Sequence, residues 1–166
     1  MKNQHLLYLL LLSWLIGLCN CRQSISNNTE TTLIQAYLAT DYQVYPTPSK
    51  TLHIRINQKN IELDQFLKGH QSWAYITAWN PNSKVLPMEE NKQRNEALVK
   101  ILQTKGFVYY PGKGVPDKGD WIPEASFLVV DLSKKAAIEI GQQYDQKAIV
   151  WGKVNAPATL LFCLPN

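Results

Sequence analysis

The chain is poor in charge. Asp, Glu, Lys and Arg make up 18% of its 166 residues, against roughly a quarter in an average soluble domain. The 17 basic and 13 acidic residues nearly cancel, at +4. So small an excess, with no clustered basic patch, argues against nucleic acid as a partner. Cysteine is scarce: there are three, and Cys19 and Cys21 stand together near the start. The body therefore holds one cysteine, Cys163, expected as a small core residue. His53 and His70 are far apart, and no Cys or His pair has ligand spacing, so no metal and no cofactor is expected. There is no Gly-x-Ser-x-Gly elbow. Gly112-Lys113-Gly114 fails as a phosphate loop, because no Gly stands five residues before Gly112 and Gly114 follows the lysine where Ser or Thr is required. A lid or tight turn is expected there, with Lys113 as a positive charge for a ligand. Asp117 and Asp120 then read as turn residues.

What is present describes a folded, exported body. The chain is 45% apolar, with five Trp and eight Tyr, which excludes a disordered composition, and its length suits one domain. Residues 1–21 read as a signal peptide or lipoprotein-type signal. Lys2 is followed by the apolar run Leu6–Leu18, about 20 Å long as a helix and short of the roughly 30 Å hydrocarbon core. An uncleaved membrane anchor is the alternative. Cys19 or Cys21 is the candidate lipidation site, although Leu18 and Asn20 precede them where a lipoprotein signal has a small residue. Residues 22–29 read as a polar tether, and residues 30–166 as a single α+β domain. The expected location is extracytoplasmic: periplasmic, membrane-anchored or secreted.

Periodicity orders the body. Helical spacing is expected over Glu30–Thr40, with Thr29 as cap, and over Ile61–Lys68, with Asn60 as cap and Gly69 as terminator. Leu52, Ile54 and Ile56 alternate with polar residues over Thr51–Ile56, a half-buried strand. Pro46 and Pro48 mark a loop. Trp73–Trp79 is apolar on both faces and suits a central strand. Pro87–Lys105 predicts a long helix with Glu89 and Glu90 in its first turn and Gly106 just beyond its end. Strands are expected at Phe107–Tyr110, Trp121–Asp131, Ala148–Trp151 and Ala158–Phe162, and a helix capped by Ser133 runs to about Tyr144. From Trp73 to Trp151 the order is strand, helix, strand, strand, helix, strand. That is the ferredoxin-like, split-βαβ pattern: a two-layer sandwich, mainly antiparallel, with helices on one face and an extra N-terminal helix and strand.

The long helix carries the sharpest clue. Asn91, Asn95, Leu98, Ile101 and Leu102 share one face. The apolar half of that stripe packs on the sheet, while the amide half falls near Thr77 and Asn80. Such a gathering suits a polar ligand or an anion, or it ties the Asn80-Pro81 loop to the helix. Arg94 is placed to pair with Glu90 one turn earlier. Glu124 and Ser126 alternate with Leu128 and Val130. If that face points inward, burial raises the Glu124 pKa and suits it to general acid–base work; otherwise Glu124 meets solvent or an arginine. The candidate site is therefore Thr77, Asn80, Asn91, Arg94, Asn95, Lys113 and Ser126 for binding, with Glu124 as the catalytic candidate.

These residues also carry a resemblance. Ala36-Tyr37 with Thr40 and Tyr42, Ile76-Thr77-Ala78-Trp79-Asn80-Pro81, Glu90-Asn91, Arg94-Asn95, Gly112 and Gly114, Trp121, Glu124 and Ser126, and Gln146 with Ala148 are similar to the bacterial domain of unknown function 3293. The likeness covers roughly Thr32–Trp151. That family has no established activity, so the resemblance implies a domain and no reaction. The export-like segment departs from many such domains and argues against a cytosolic nucleotide substrate. Three functional expectations remain: a domain binding a polar small molecule or peptide, an enzyme using Glu124 with Lys113 or Arg94 holding an anion, and a structural accessory lipoprotein.

Overall fold

A computed structural model of the chain describes residues 31–118 and 121–163. The expected signal segment, Cys19 and Cys21, the tether, the Thr29 cap and Asp120 lie outside the described residues. The chain divides into two units, Met1–Tyr37 and Leu38–Asn166. Residues 31–38 are helical (α1). The second unit carries one antiparallel sheet of β1 (Thr40–Thr47), β2 (Lys50–Ile54), β3 (Ser72–Ile76), β4 (Tyr109–Pro116), β5 (Glu124–Val130), β6 (Ala148–Lys153) and β7 (Thr159–Phe162), with helices α2 (Ile61–Phe66), α3 (Met88–Thr104) and α4 (Lys134–Gln143). The described fold is therefore α+β, a seven-stranded sheet curled into a half-barrel with four helices among the described residues.

The strand order is β2-β1-β4-β5-β3-β6-β7. β5 lies between β3 and β4, and β3 lies between β5 and β6. Each strand–helix–strand unit is thus split by a strand of the other. The loop expected at Pro46 and Pro48 is corrected at Pro46, which lies within β1, a strand paired with both β2 and β4. Its only inward apolar positions are Tyr42 and Val44, too few for a visible alternation. Gly112 and Gly114 form no lid or turn: β4 continues through them to Pro116, paired with β1 on one side and β5 on the other.

Alternation of side chains across the sheet explains why Trp73–Ile76 is apolar throughout. Ala74 and Ile76 join Val129, Ile149 and Leu161 under Leu98 and Leu102 of α3 and Ala137 and Ile140 of α4. The opposite face carries buried Trp73, Tyr75, Leu128, Val130 and Val150. This inner face closes on itself. The Tyr42 and Tyr75 rings meet edge to face at 5.3 Å although β4 and β5 separate their strands. The Tyr75 hydroxyl donates to the Gln43 carbonyl at 2.9 Å. Phe66 of α2 packs at 4.8 Å on Tyr110, whose neighbour Tyr109 faces the other helices. Helices therefore cover both faces, correcting the expectation of one helical face. Just past β2 and just before β7, the chain pairs Ile56 with Ala158. The Asn57 amide donates to the Ala158 carbonyl at 2.8 Å, so the two outermost strands meet at one end.

The caps follow local sequence. Asn60 accepts from the Leu63 amide and Ser133 from the Ala136 amide, as their positions predict. α3 ends in a Schellman turn: Gly106 has φ +70°, its amide donates to Gln103 O, and the Phe107 amide donates to Leu102 O.

Candidate functional site

β3 ends at Ile76, and the chain then turns irregularly. Asn80, Asn82 and Ser83 all adopt positive φ, at 46°, 54° and 60°, and the bulky pyrrolidine of Pro81 stands among them. Left-handed backbone at non-glycine residues persists only where its surroundings enforce it. Here the enforcement is visible, because side chains from three elements take the backbone polar groups of this turn.

Asn95 Oδ1 accepts the Ala78 amide at 2.9 Å, and Arg94 Nε donates to the Ala78 carbonyl at 2.8 Å. Thr77 Oγ1 accepts the Trp79 amide at 3.0 Å, and Gln146 Nε2 donates to the Trp79 carbonyl at 2.9 Å. Asn91 Oδ1 accepts the Asn80 amide at 2.8 Å, and Asn91 Nδ2 donates to Asn80 Oδ1 at 2.9 Å. The Asn82 amide donates to the Asp145 carbonyl at 2.7 Å. Helical spacing places Asn91, Arg94 and Asn95 on adjoining positions of α3. α4 supplies the other side. Its own C-terminal turn, with Asp145 at φ 55° and the Gln146 amide on Gly141 O, presents Asp145 and Gln146 to the loop.

The structure thus brings together Thr77, Asn80, Asn91, Arg94, Asn95 and Glu124. Asn80, Asn91 and Asn95 are buried, and their amides are occupied within the protein: Asn95 Nδ2 and Thr77 Oγ1 both donate to Ala125 O, at 2.8 and 2.7 Å. Arg94 does not pair with Glu90. Its guanidinium reaches the Ala78 and Tyr144 carbonyls and lies 3.8 Å from Asp145, because two buried carbonyls need donors. Ser126 is buried one pleat along from Glu124, and its hydroxyl donates to the Glu124 carbonyl at 3.0 Å. Lys113 faces away from Glu124 and makes no hydrogen bond or ion pair to the group among the described residues. It stands opposite Ala125 while Gly114 stands opposite Glu124, so pleating turns Lys113 to the other face.

Three participants escaped the sequence reading as members of this cluster: Asp145, Gln146 and Trp121. Gln146 sits one residue beyond a left-handed helix cap, a position that aims its side chain back along the helix end. Trp121 stands three residues before Glu124, and its indole Nε1 donates to Glu124 Oε1 at 3.1 Å. The Asn80 Nδ2 donates to that same oxygen at 2.7 Å. Neither bond uses Oε2, which is without a partner among the described residues.

Burial pushes the Glu124 carboxyl above its ordinary value of 4.5, and the Asn80 and Trp121 hydrogen bonds pull against that shift. A raised folded-state pKa means that folding favours the protonated group. Its stabilising effect is fully present below about pH 4.5 and is lost as pH rises through the folded value. Glu124→Gln keeps an acceptor for both donors and removes the charge. The variant is therefore expected to gain stability relative to the wild type as pH rises from 4 toward 8, read as diverging thermal midpoints. Parallel midpoints across that range would contradict the account. The Cys163 thiol is pushed up to about 11 by burial, which leaves it protonated and inert near neutrality.

Residues 76–149 match the family model described as Protein of unknown function (DUF3293). No curated protein and no solved structure matches the chain. The matched segment contains every side chain of the network, from Thr77 to Gln146. From Ile76 at the end of β3 to Ile149 in β6, the chain carries a DUF3293 domain.

Proposed function

We propose that this chain is a binding domain that takes a polar small molecule or peptide at the Glu124 corner, with Thr77, Asn80, Asn91, Arg94 and Asn95 as its scaffold. The observation that carries the reading is the contrast within the cluster. The amides are occupied, whereas Glu124 is half-buried, oriented by two donors on Oε1, and has Oε2 to spend. Beside it Trp121 is 45% exposed and Ile122 66% exposed, an apolar rim next to a polar anchor, which is the usual make-up of a ligand site. The interleaved strands β4-β5-β3-β6 support a ferredoxin-like core, extended at its edges by β1, β2 and β7. The apolar run at residues 6–18 supports an extracytoplasmic location, periplasmic, anchored or secreted.

The test is a thermal-shift screen of the full chain against polar metabolites and short peptides. A ligand that binds the folded state raises the midpoint in proportion to RT ln(1 + [L]/Kd). Hits are expected to lose their shift in Glu124→Ala and to keep it in Lys113→Ala, since Lys113 is on the opposite face. Shifts of equal size in Glu124→Ala overturn the assignment. The raised Glu124 pKa favours a second reading, general acid or base catalysis at the same carboxyl. Turnover of a bound hit that vanishes in Glu124→Gln separates catalysis from binding.

A further inference from the structure

Glu124 is a half-buried carboxylate with no cation beside it among the described residues. Among the described residues, Asn80 and Trp121 act on it, and no Lys, Arg or His reaches ion-pair distance. A carboxylate drawn out of water is costly unless it is paired, so the corner favours a partner that brings positive charge.

The geometry narrows which positive charge. Asn80 Nδ2 and Trp121 Nε1 both present N–H groups to the carboxylate, and neither nitrogen serves as a metal ligand in that state. Among the described residues no three His, Cys, Asp or Glu are placed together to hold a metal ion. What does stand at this carboxyl is the indole of Trp121, a residue 45% exposed, pinned to Oε1 by its own N–H. An aromatic ring next to a carboxylate is the pairing that recognises an organic cation: the ring quadrupole attracts the charge, and the carboxylate accepts its hydrogen bonds. We infer that the Trp121–Glu124 corner binds an ammonium or guanidinium group, as on a diamine or a lysine or arginine side chain, with its N–H groups on Glu124 Oε2 and its charge against the indole. The inference rests on the binding reading above and narrows it to one ligand class.

The test is a titration of the 15N-labelled full chain, followed at the Trp121 indole N–H and the Asn80 side-chain amide. The probes are n-butylammonium, putrescine and arginine methyl ester, set beside N-acetylglucosamine as a neutral polar probe and acetate as an anion. The cations are expected to shift both signals saturably. Glu124→Gln, which keeps the acceptor oxygen and the Asn80 bond, should weaken them at least tenfold, and Trp121→Leu, at an exposed site, at least threefold. Cation titrations unchanged in Glu124→Gln overturn the inference. If only the neutral probe or acetate shifts the two signals, the cation assignment falls while the binding site stands. If none of the probes does, both fall.

Discussion

Asn95→Ala is expected to destabilise the protein by about 2–4 kcal/mol, the cost of stranding a buried hydrogen-bonding group together with a small cavity. The Ala78 amide is fully buried and has Asn95 Oδ1 as its acceptor, so truncation leaves that N–H without a partner. The gain in helix propensity from alanine offsets only about 0.5 kcal/mol. The Ala125 carbonyl fares better, since it keeps the Thr77 hydroxyl. Asn95→Asp separates the two roles. It retains an acceptor for Ala78 but sets a carboxylate against the Ala125 carbonyl, and is expected to lose stability as well. Asn91→Ala should behave like Asn95→Ala, because Asn91 holds the Asn80 amide and Asn80 Oδ1. The double variant should cost less than the sum, as both side chains brace one loop. Urea denaturation at constant m-value reads these changes. A loss under about 1 kcal/mol for Asn95→Ala would mean that the amides do not hold the loop.

Gly112→Ala is expected to cost about 3 kcal/mol or more, at the severe end of overpacking. Gly112 sits where the Tyr75 side chain crosses from β3 over β5 and β4 to reach the Gln43 carbonyl of β1. A Cβ there would run into that carbonyl oxygen and the Tyr75 hydroxyl, with the ring edge close behind. A backbone carbonyl within a paired strand cannot yield as a flexible side chain does, so the sheet itself must open. Tyr75→Phe in the Gly112→Ala background removes one of the two obstacles and should restore part of the loss, which a double-mutant cycle measures as coupling. Additive effects would show that Tyr75 and Gly112 do not share the space. The same geometry explains why Tyr75 resists ionisation: burial holds its pKa well above the ordinary tyrosine value.

Much of the site was legible before the fold was known, because helical spacing is a local rule. Asn91 and Asn95 four apart, with Leu98 and Leu102 further along, placed amides and core on one stripe. A short connection from β3 placed those amides near Asn80. The Ser133 and Asn60 caps and the Gly106 terminator were likewise written in a few adjacent residues. The Arg94 pairing is corrected because its partners, the carbonyls of Ala78 and Tyr144, are backbone atoms brought together from the turn after β3 and the C-terminal cap of α4, and no side-chain pattern announces a carbonyl in need of a donor.

The sequence by itself determined the α+β class, the order of elements from Trp73 to Trp151, and the collection of Thr77, Asn80, Asn91 and Asn95 at one strand end, since each follows from periodicity, capping and short connections. Only the tertiary structure decided that Gly112 and Gly114 lie within a strand, that Lys113 faces away from Glu124, and that among the described residues the amides are occupied while Glu124 Oε2 is not. Those outcomes depend on sheet curl and on hydrogen bonds between residues far apart in the chain, such as Asn80 with Glu124. Local propensity carries no information about such closures.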